Sequence, residues 1–402
     1  MNRAYPVSLV MLLAVLLAAL PASAQKASSL SESASCESLA KGNNAFAVHI
    51  YGELAGKAGN IFFSPYGISM ALGMTYAGAR GDTAKEIRKA LDFQFDQSRL
   101  NEVFKSYDRE LTDSVDRSGQ KLRIANGLCL TRGNVSKTYK DILSKFYDAE
   151  VFSGGLTPIN RWVKRKTDGK IASILKELNP NSVCVILNAI YFNGAWKTRF
   201  SKKRTREAAF VVSSTKQATV PLMYRRGNFK MLVGKDFKAV SIPYAGGDLS
   251  MVVLLPDVPS GLEGLEKQLG AASLDNWLSR LDKQHDRKID LYLPKFTLDT
   301  GYNLKPLCMR LGMRSAFSRN ADFSAMGGRK GDLWISQIQH KVFLKVNERG
   351  TEAAAATAVE IVTKSMPSYP QFRADHPFIF LVRDDRTGMI LFMGRMADPT
   401  AR

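Results

Sequence analysis

The chain has 402 residues, with 57 basic against 37 acidic side chains, four cysteines and four histidines, a length that allows one large core or two moderate domains. Cys36, Cys129, Cys184 and Cys308 are widely separated, which excludes the dense disulfide framework of a small secreted domain; no obligatory bridge is expected, and Cys129 and Cys184 read as buried small hydrophobes. His49, His285, His340 and His376 form no H-x-x-x-H pair and G-x-S-x-G is absent, so zinc and serine hydrolases are set aside and no metal or cofactor is expected.

The N-terminus combines Arg3, the apolar run "VSLVMLLAVLLAAL" and the small residues Ala22-Ser23-Ala24, the pattern of a signal peptide over 1–24. A polar leader over 25–42 follows, and no later run is long enough to span a bilayer, so a secreted or periplasmic protein without a transmembrane anchor is expected. The first helix is placed in "NNAFAVHIYGELAG". "NIFFSPYGISMALGMTYAGARGDTAKEIRKAL" reads as a strand end and helices, with Ser64 as cap and Pro65 in the first turn. Helices are expected in "QSRLNEVFKSYDRELTDSV", "SKTYKDILSKFY" and "PINRWVKRKTDGKIASIL", the last breaking near Gly169, and a strand in "KLRIANGLCL".

Strand signals dominate the second half: "SVCVILNAIYF", "AAFVVS", "ATVPLMYRRGNFKML", "FKAVSIPYAGGDLSMVVLLPD", "KIDLYLPKFTLDT" and "HKVFLKVNE". Short helices fall in "LEGLEKQLG", "LDNWLSRLD" and "GYNLKPLCMRLG", and "FIFLVRDDRTGMILFMGRM" is a hairpin around a turn. No repeat or linker divides the chain, and this order predicts one α+β domain. "GTEAAAATAVEIVTKSM", 350–366, is ambiguous: its alanines favour a helix, while period two makes it a strand with a small-residue face. "KTRFSKKRTR", 197–206, and "RWVKRKTDGK", 161–170, concentrate the positive charge. They read as solvated surface or as an attraction to polyanions or an anionic surface; no nucleic-acid module accompanies them.

"FFSPYGISMALGMTYAGARGDTAKEI", "INRWVKRKTDGKI", "LNAIYFNGAW", "LYLPKF", "KVFLKVNERGTEAAAATA" and "FRADHPFIFLVRDDRTGMILFMGRM", in this order, resemble the serpin family over about residues 43–399. The resemblance implies an α+β serpin fold with three β-sheets, eight or nine helices and an exposed reactive-centre loop over about 348–370, and a monomer. It also implies a suicide-substrate inhibitor of a trypsin-like serine protease, not an enzyme; a non-inhibitory serpin that binds, carries or assists folding is the alternative. Glu348, Arg349, Gly350, Thr351, Glu352, Ala353, Ala354, Ala355 and Ala356 match the inhibitory hinge, which turns the 350–366 stretch from a helix into bait that inserts as a strand. Counting seventeen residues from Glu348 puts the scissile bond at Lys364-Ser365, with Met366 the nearest shifted alternative. Ser64, Ser69, Asn188 and His340 fall where the family controls opening of the central sheet, and Trp196 where insertion starts. "SGGLT", 153–157, is shorter than this family's usual approach to the helix across that sheet.

Overall fold

The computed structural model describes residues 22–350 and 368–401, with side chains from residue 32 onward. Helices fill the first half: α1 (Ala22–Ala55), α2 (Pro65–Gly78), α3 (Gly81–Ala90), α4 (Gln97–Arg117), α5 (Lys137–Tyr147) and α6 (Leu156–Lys166). Between them run β1 (Ile61–Phe63), β2 (Lys121–Leu130), β3 (Ala149–Ser153) and, after α6, β4 (Cys184–Asn193). The second half carries β5 (Arg206–Val211), β6 (Gln217–Phe229), β7 (Met231–Val233), β8 (Phe237–Pro243), β9 (Leu249–Pro256), β10 (Arg287–Pro294), β11 (Phe296–Asn303), β12 (Ile335–Val346), β13 (Gln371–Arg373), β14 (Phe378–Asp384) and β15 (Ile390–Met396). The short helices α7 (Leu262–Gln268), α8 (Ala271–Asp282) and α9 (Lys305–Arg310) interrupt them.

Three sheets result, ordered β11-β12-β4-β2-β3, β1-β15-β14-β9-β8-β7 and β13-β10-β6-β5. The fold is thus α+β, and nine α-helices fall among the described residues. Helix α2 lies buried along its whole length between the first two sheets' elements, and Ser64 caps it by accepting the Gly67 N–H at 3.0 Å. The C-terminal hairpin is β14 against β15.

Some elements differ from the sequence reading. The first helix begins at Ala22, through the stretch read as a polar leader. Cys36, Leu39, Ala40 and Asn43 are buried at helical spacing and continue into Phe46, Ala47, Ile50 and Tyr51, a stripe that scattered serines hide. Helix α6 ends at Lys166, and the chain reverses through Gly169 at φ 76°. The returning segment is held by Asn160, whose Oδ1 accepts the Ile174 and Leu175 N–H groups and whose Nδ2 donates to Leu175 O. "KIDLYLPKFTLDT" is two strands in two sheets, separated at Lys295.

All four cysteines are free and buried. Cys129 faces Val185 across the antiparallel β2–β4 pair while Cys184 faces Leu130, so the two thiols point to opposite sides of the sheet. A small apolar cluster around Ile159, Trp162, Val163 and Leu187 seats α6 on the sheet, separate from the main core. Only two residues, Gly154 and Gly155, join β3 to α6.

Candidate functional site

The central sheet contains a seam. Strands β12 and β4 run parallel, from Ile335 opposite Cys184 to Phe343 opposite Tyr191, with a register shift after Ile335. A parallel pair is slightly less stable per residue than an antiparallel one. Beyond Phe343, Leu344–Val346 pair with β11 and Phe192–Asn193 pair with β2, but not with each other. Each strand therefore turns an open edge to the other at this end.

At that end the chain reverses. Asn347 and Gly350 exchange backbone hydrogen bonds of 2.9 and 3.1 Å. The Trp196 N–H donates to Arg349 O at 3.1 Å, its indole to Asn347 O at 2.9 Å, and the Phe200 N–H to Glu348 O at 2.9 Å. Trp196 is itself stacked on Tyr244 with centroids 4.6 Å apart. Gly350 has φ 134°, and a Cβ there would lie 2.1 Å from Gly194 O and 2.6 Å from Ala195 Cα, so no side chain fits.

Glu348 is buried, and its Oε1 accepts from Thr205 Oγ1 at 2.9 Å and from Lys295 Nζ at 3.2 Å. Burial alone would raise this carboxyl, but its own amide, Thr205 and Lys295 outweigh that and hold it below the usual glutamate range. Lys295, the residue between β10 and β11, thus ties two sheets to the start of the turn. Neither partner carried a local signal in the sequence.

Deeper in the seam, one rank of side chains crosses three strands. His340 sits opposite Asn188, and Asn188 opposite Asn126. His340 Nε2 accepts the Ser64 N–H at 3.0 Å, which puts the ring proton on Nδ1, donating to Asn188 Oδ1 at 2.8 Å. Asn188 Nδ2 donates to Asn126 Oδ1 at 2.8 Å, and Asn126 Nδ2 to Tyr147 O at 3.2 Å. Ser64 Oγ donates to Leu391 O at 2.6 Å. Asn126 was missed in the sequence, where it is one polar residue inside the apolar strand "KLRIANGLCL".

Ser69 does not join this rank. Its hydroxyl donates to Asn43 Oδ1 at 3.0 Å, and Asn43 Nδ2 donates to Ile390 O at 3.0 Å. Both sets of bonds end on adjacent residues of β15. Thr351, Glu352, Ala353, Ala354, Ala355, Ala356, Lys364, Ser365 and Met366 lie outside the described residues, as does the choice between helix and strand for that stretch.

Burial drives the His340 imidazole down to about 3. Once the sheet opens or unfolds, the ring regains an ordinary pKa of about 6.5 and binds a proton that the closed sheet refuses. Its contribution to stability is therefore complete above about pH 6.5 and is lost as pH falls toward 3, at about 1.4 kcal/mol per pH unit. The expected result is an unfolding rate in urea that rises from pH 7 to pH 5, with a shallower rise in His340→Gln. Equal slopes in the two proteins would remove His340 as the acid-sensitive element.

A family model described as Serpin (serine protease inhibitor) matches residues 41–399. The chain belongs to the serpin family. It is 36% identical over 378 residues to Serpin B6 of Macaca fascicularis, covering 90% of this chain and 99% of that protein. It is 38% identical over 390 residues to the leukocyte elastase inhibitor of Bos taurus, covering 90% and 100%. Human thyroxine-binding globulin complexed with thyroxine superposes with a TM-score of 0.81 at 27% identity, covering 91% of this chain and 100% of that one. Serpins act as pseudo-substrates rather than as enzymes. Among the described residues of this serpin no cluster of metal-binding side chains occurs, and no helix is long and apolar enough to cross a membrane.

The basic segments of this serpin lie near the end of the central sheet where the chain reverses at Asn347–Gly350. Lys202–Arg204 form a short 3₁₀ turn, with Lys197, Lys202, Lys203 and Arg206 exposed. The other run ends α6, where Arg165 and Lys166 share Glu150 at 2.8 and 3.7 Å, and Lys170 lies 5.7 Å above the Tyr191 ring in β4.

Proposed function

We propose that this serpin is a secreted suicide-substrate inhibitor of trypsin-like serine proteases, cleaved at Lys364-Ser365. The observation that carries the reading is the reversed chain at Asn347–Gly350 beside the open edges of β12 and β4. A strand continuing from Gly350 down this seam would run antiparallel to both neighbours and satisfy their exposed backbone groups. In the proposed reaction the serine hydroxyl of the protease attacks the Lys364 carbonyl. The amine of Ser365 leaves with the C-terminal segment, and Lys364 stays on the enzyme as an ester.

Insertion of residues 351 onward then carries the acylated protease along the sheet before water can hydrolyse the ester. The intact form is a kinetically held state, released by cleavage. Thr351, Ala353, Ala355 and Thr357 make the inward face small enough to enter between the strands, while Glu352 and Glu360 stay outward. Domain limits follow the same reading: a signal peptide over 1–24, cleaved after Ala24, and one serpin domain over 43–399, onto whose core α1 already packs from Cys36. The test is incubation with trypsin-, chymotrypsin- and elastase-like proteases, scoring detergent-stable complexes, stoichiometry and the mass of the released peptide. Complete cleavage of the loop by every protease with no stable complex would instead favour the binding-protein reading, for which thyroxine-binding globulin shows that this fold can serve.

The basic segments motivate a test of weak attraction to sulfated polysaccharide, with simple solubility as the competing and simpler explanation. Retention on immobilised heparin is expected to fall steeply with salt yet persist at about 0.15 M, since each cation that meets the polymer adds to the salt dependence. Elution below that salt, with inhibition rates unchanged by soluble heparin, would leave solubility as the explanation.

A further inference from the structure

The seam between β12 and β4 is closed differently on its two faces, because alternate residues of a strand point to opposite sides. On the core side the rungs carry Val342 opposite Ile190 and then His340 opposite Asn188. On the other side, running down from the open end, they carry Phe343 opposite Tyr191, Lys341 opposite Ala189 and Gln339 opposite Leu187. Phe343, Ala189 and Leu187 all pack into the small cluster that seats α6, which makes this the α6 side.

The outermost of these rungs is the last before the two strands part, and it alone joins two large apolar side chains. The rings of Phe343 and Tyr191 lie 6.0 Å apart at 42°. Among the described residues no other ring pair links β12 to β4. Tyr191 is buried and Phe343 half-buried, and Lys170 stands 5.7 Å over the Tyr191 ring from the segment that returns from α6. One rung below, Lys341 is drawn toward β11, with Nζ 2.6 Å from Asp299 Oδ1, and its partner across the seam is only an alanine. Side-chain adhesion across this face is thus concentrated at the mouth of the seam.

A strand that enters here parts that rung before any other. Neighbouring strands lie about 4.8 Å apart, and admitting one more doubles the spacing to about 10 Å. The two rings then stand beyond the roughly 7 Å over which aromatic pairs attract. Their contact therefore belongs to the closed sheet alone. Beyond it, Leu344–Val346 and Phe192–Asn193 share no ladder bonds that could hold the mouth shut instead.

We propose that Phe343 and Tyr191 clasp the mouth of the seam and set the barrier to strand entry. They are positioning residues, acting on how readily β12 and β4 separate rather than on the protease. The inference deepens the inhibitor reading and rests on it, since the strand that enters there is the loop. A firm clasp keeps the uncut protein closed, and a loose one admits any strand of matching sequence.

The test follows, by fluorescence anisotropy, uptake of a labelled peptide with the sequence of residues 350–362 into the uncut protein. Phe343→Ala is expected to take up the peptide about tenfold faster than the parent, and Phe343→Leu, which keeps most of the bulk, about threefold faster. Stoichiometry against trypsin is expected to be no higher than the parent's in either variant. Phe343→Tyr keeps the ring and is expected to match the parent. Phe152→Ala is the control for general loosening, because Phe152 stacks on Trp162 at 5.7 Å on the same face but joins β3 to α6. It is expected to lower thermal stability without changing uptake. Uptake by Phe343→Ala within twofold of the parent would overturn the clasp and leave the inhibitor reading intact. Equal acceleration by Phe152→Ala would assign the barrier to the seating of α6 and overturn the clasp as well. Exclusion of the peptide by parent and variants alike, with no stable complex with any protease, would instead strike the inhibitor reading and the clasp with it.

Discussion

Lys364→Ala is expected to lower the rate of inhibition of trypsin-like proteases by about 30- to 5,000-fold, the equivalent of about 2–5 kcal/mol for removing one partner of a buried charge pair. In the proposed complex the Lys364 ammonium enters a pocket that ends in a carboxylate, and truncation leaves that carboxylate desolvated without a partner. The hinge is untouched, so complexes that do form are expected to be as stable as those of the parent. Mass spectrometry of the parent reaction is expected to find a released peptide beginning at Ser365. A peptide beginning at Pro367 would move the scissile bond to Met366, and inhibition unaffected by Lys364→Ala would remove lysine as the specificity residue.

Thr351→Arg, or Ala353→Arg, is expected to turn the inhibitor into a substrate. In the proposed mechanism both positions fall on the face that enters the sheet, where a guanidinium must shed water among apolar neighbours. A rise of only about 3 kcal/mol in the barrier slows insertion by about 150-fold, and hydrolysis of the acyl-enzyme then wins. Cleavage at Lys364-Ser365 continues, but the stoichiometry climbs and active protease is recovered. Glu352→Arg is the control, since an outward side chain stays in water and is expected to trap as the parent does. Unchanged stoichiometry in Thr351→Arg, or equal damage from Glu352→Arg, would reverse the assignment of the two faces.

Features governed by neighbours in the chain were legible before any coordinates. Ser64 and Pro65 announce the start of α2 because capping and a preset φ act within one turn. The two strands of the C-terminal hairpin and β4 are apolar runs buried along almost their whole length, and such runs bounded by turn residues read as strands. The run of small residues after Gly350 is likewise a property of composition, and the hinge and the counted bond proposed there rest on resemblance alone.

What the tertiary structure decided is which distant residues meet. Asn126, Asn188 and His340 share a rank only because strand register aligns positions 62 and 152 residues apart, and no local pattern encodes register between separate strands. The same holds for Lys295 on Glu348, and for Ser69, whose hydroxyl turns to Asn43 although its sequence position grouped it with Ser64. "KIDLYLPKFTLDT" divides between two sheets because its halves find different partners, β6 and β12. Helical and strand periods are short-range steric facts, while hydrogen-bond partnership across a sheet depends on how the whole core closes.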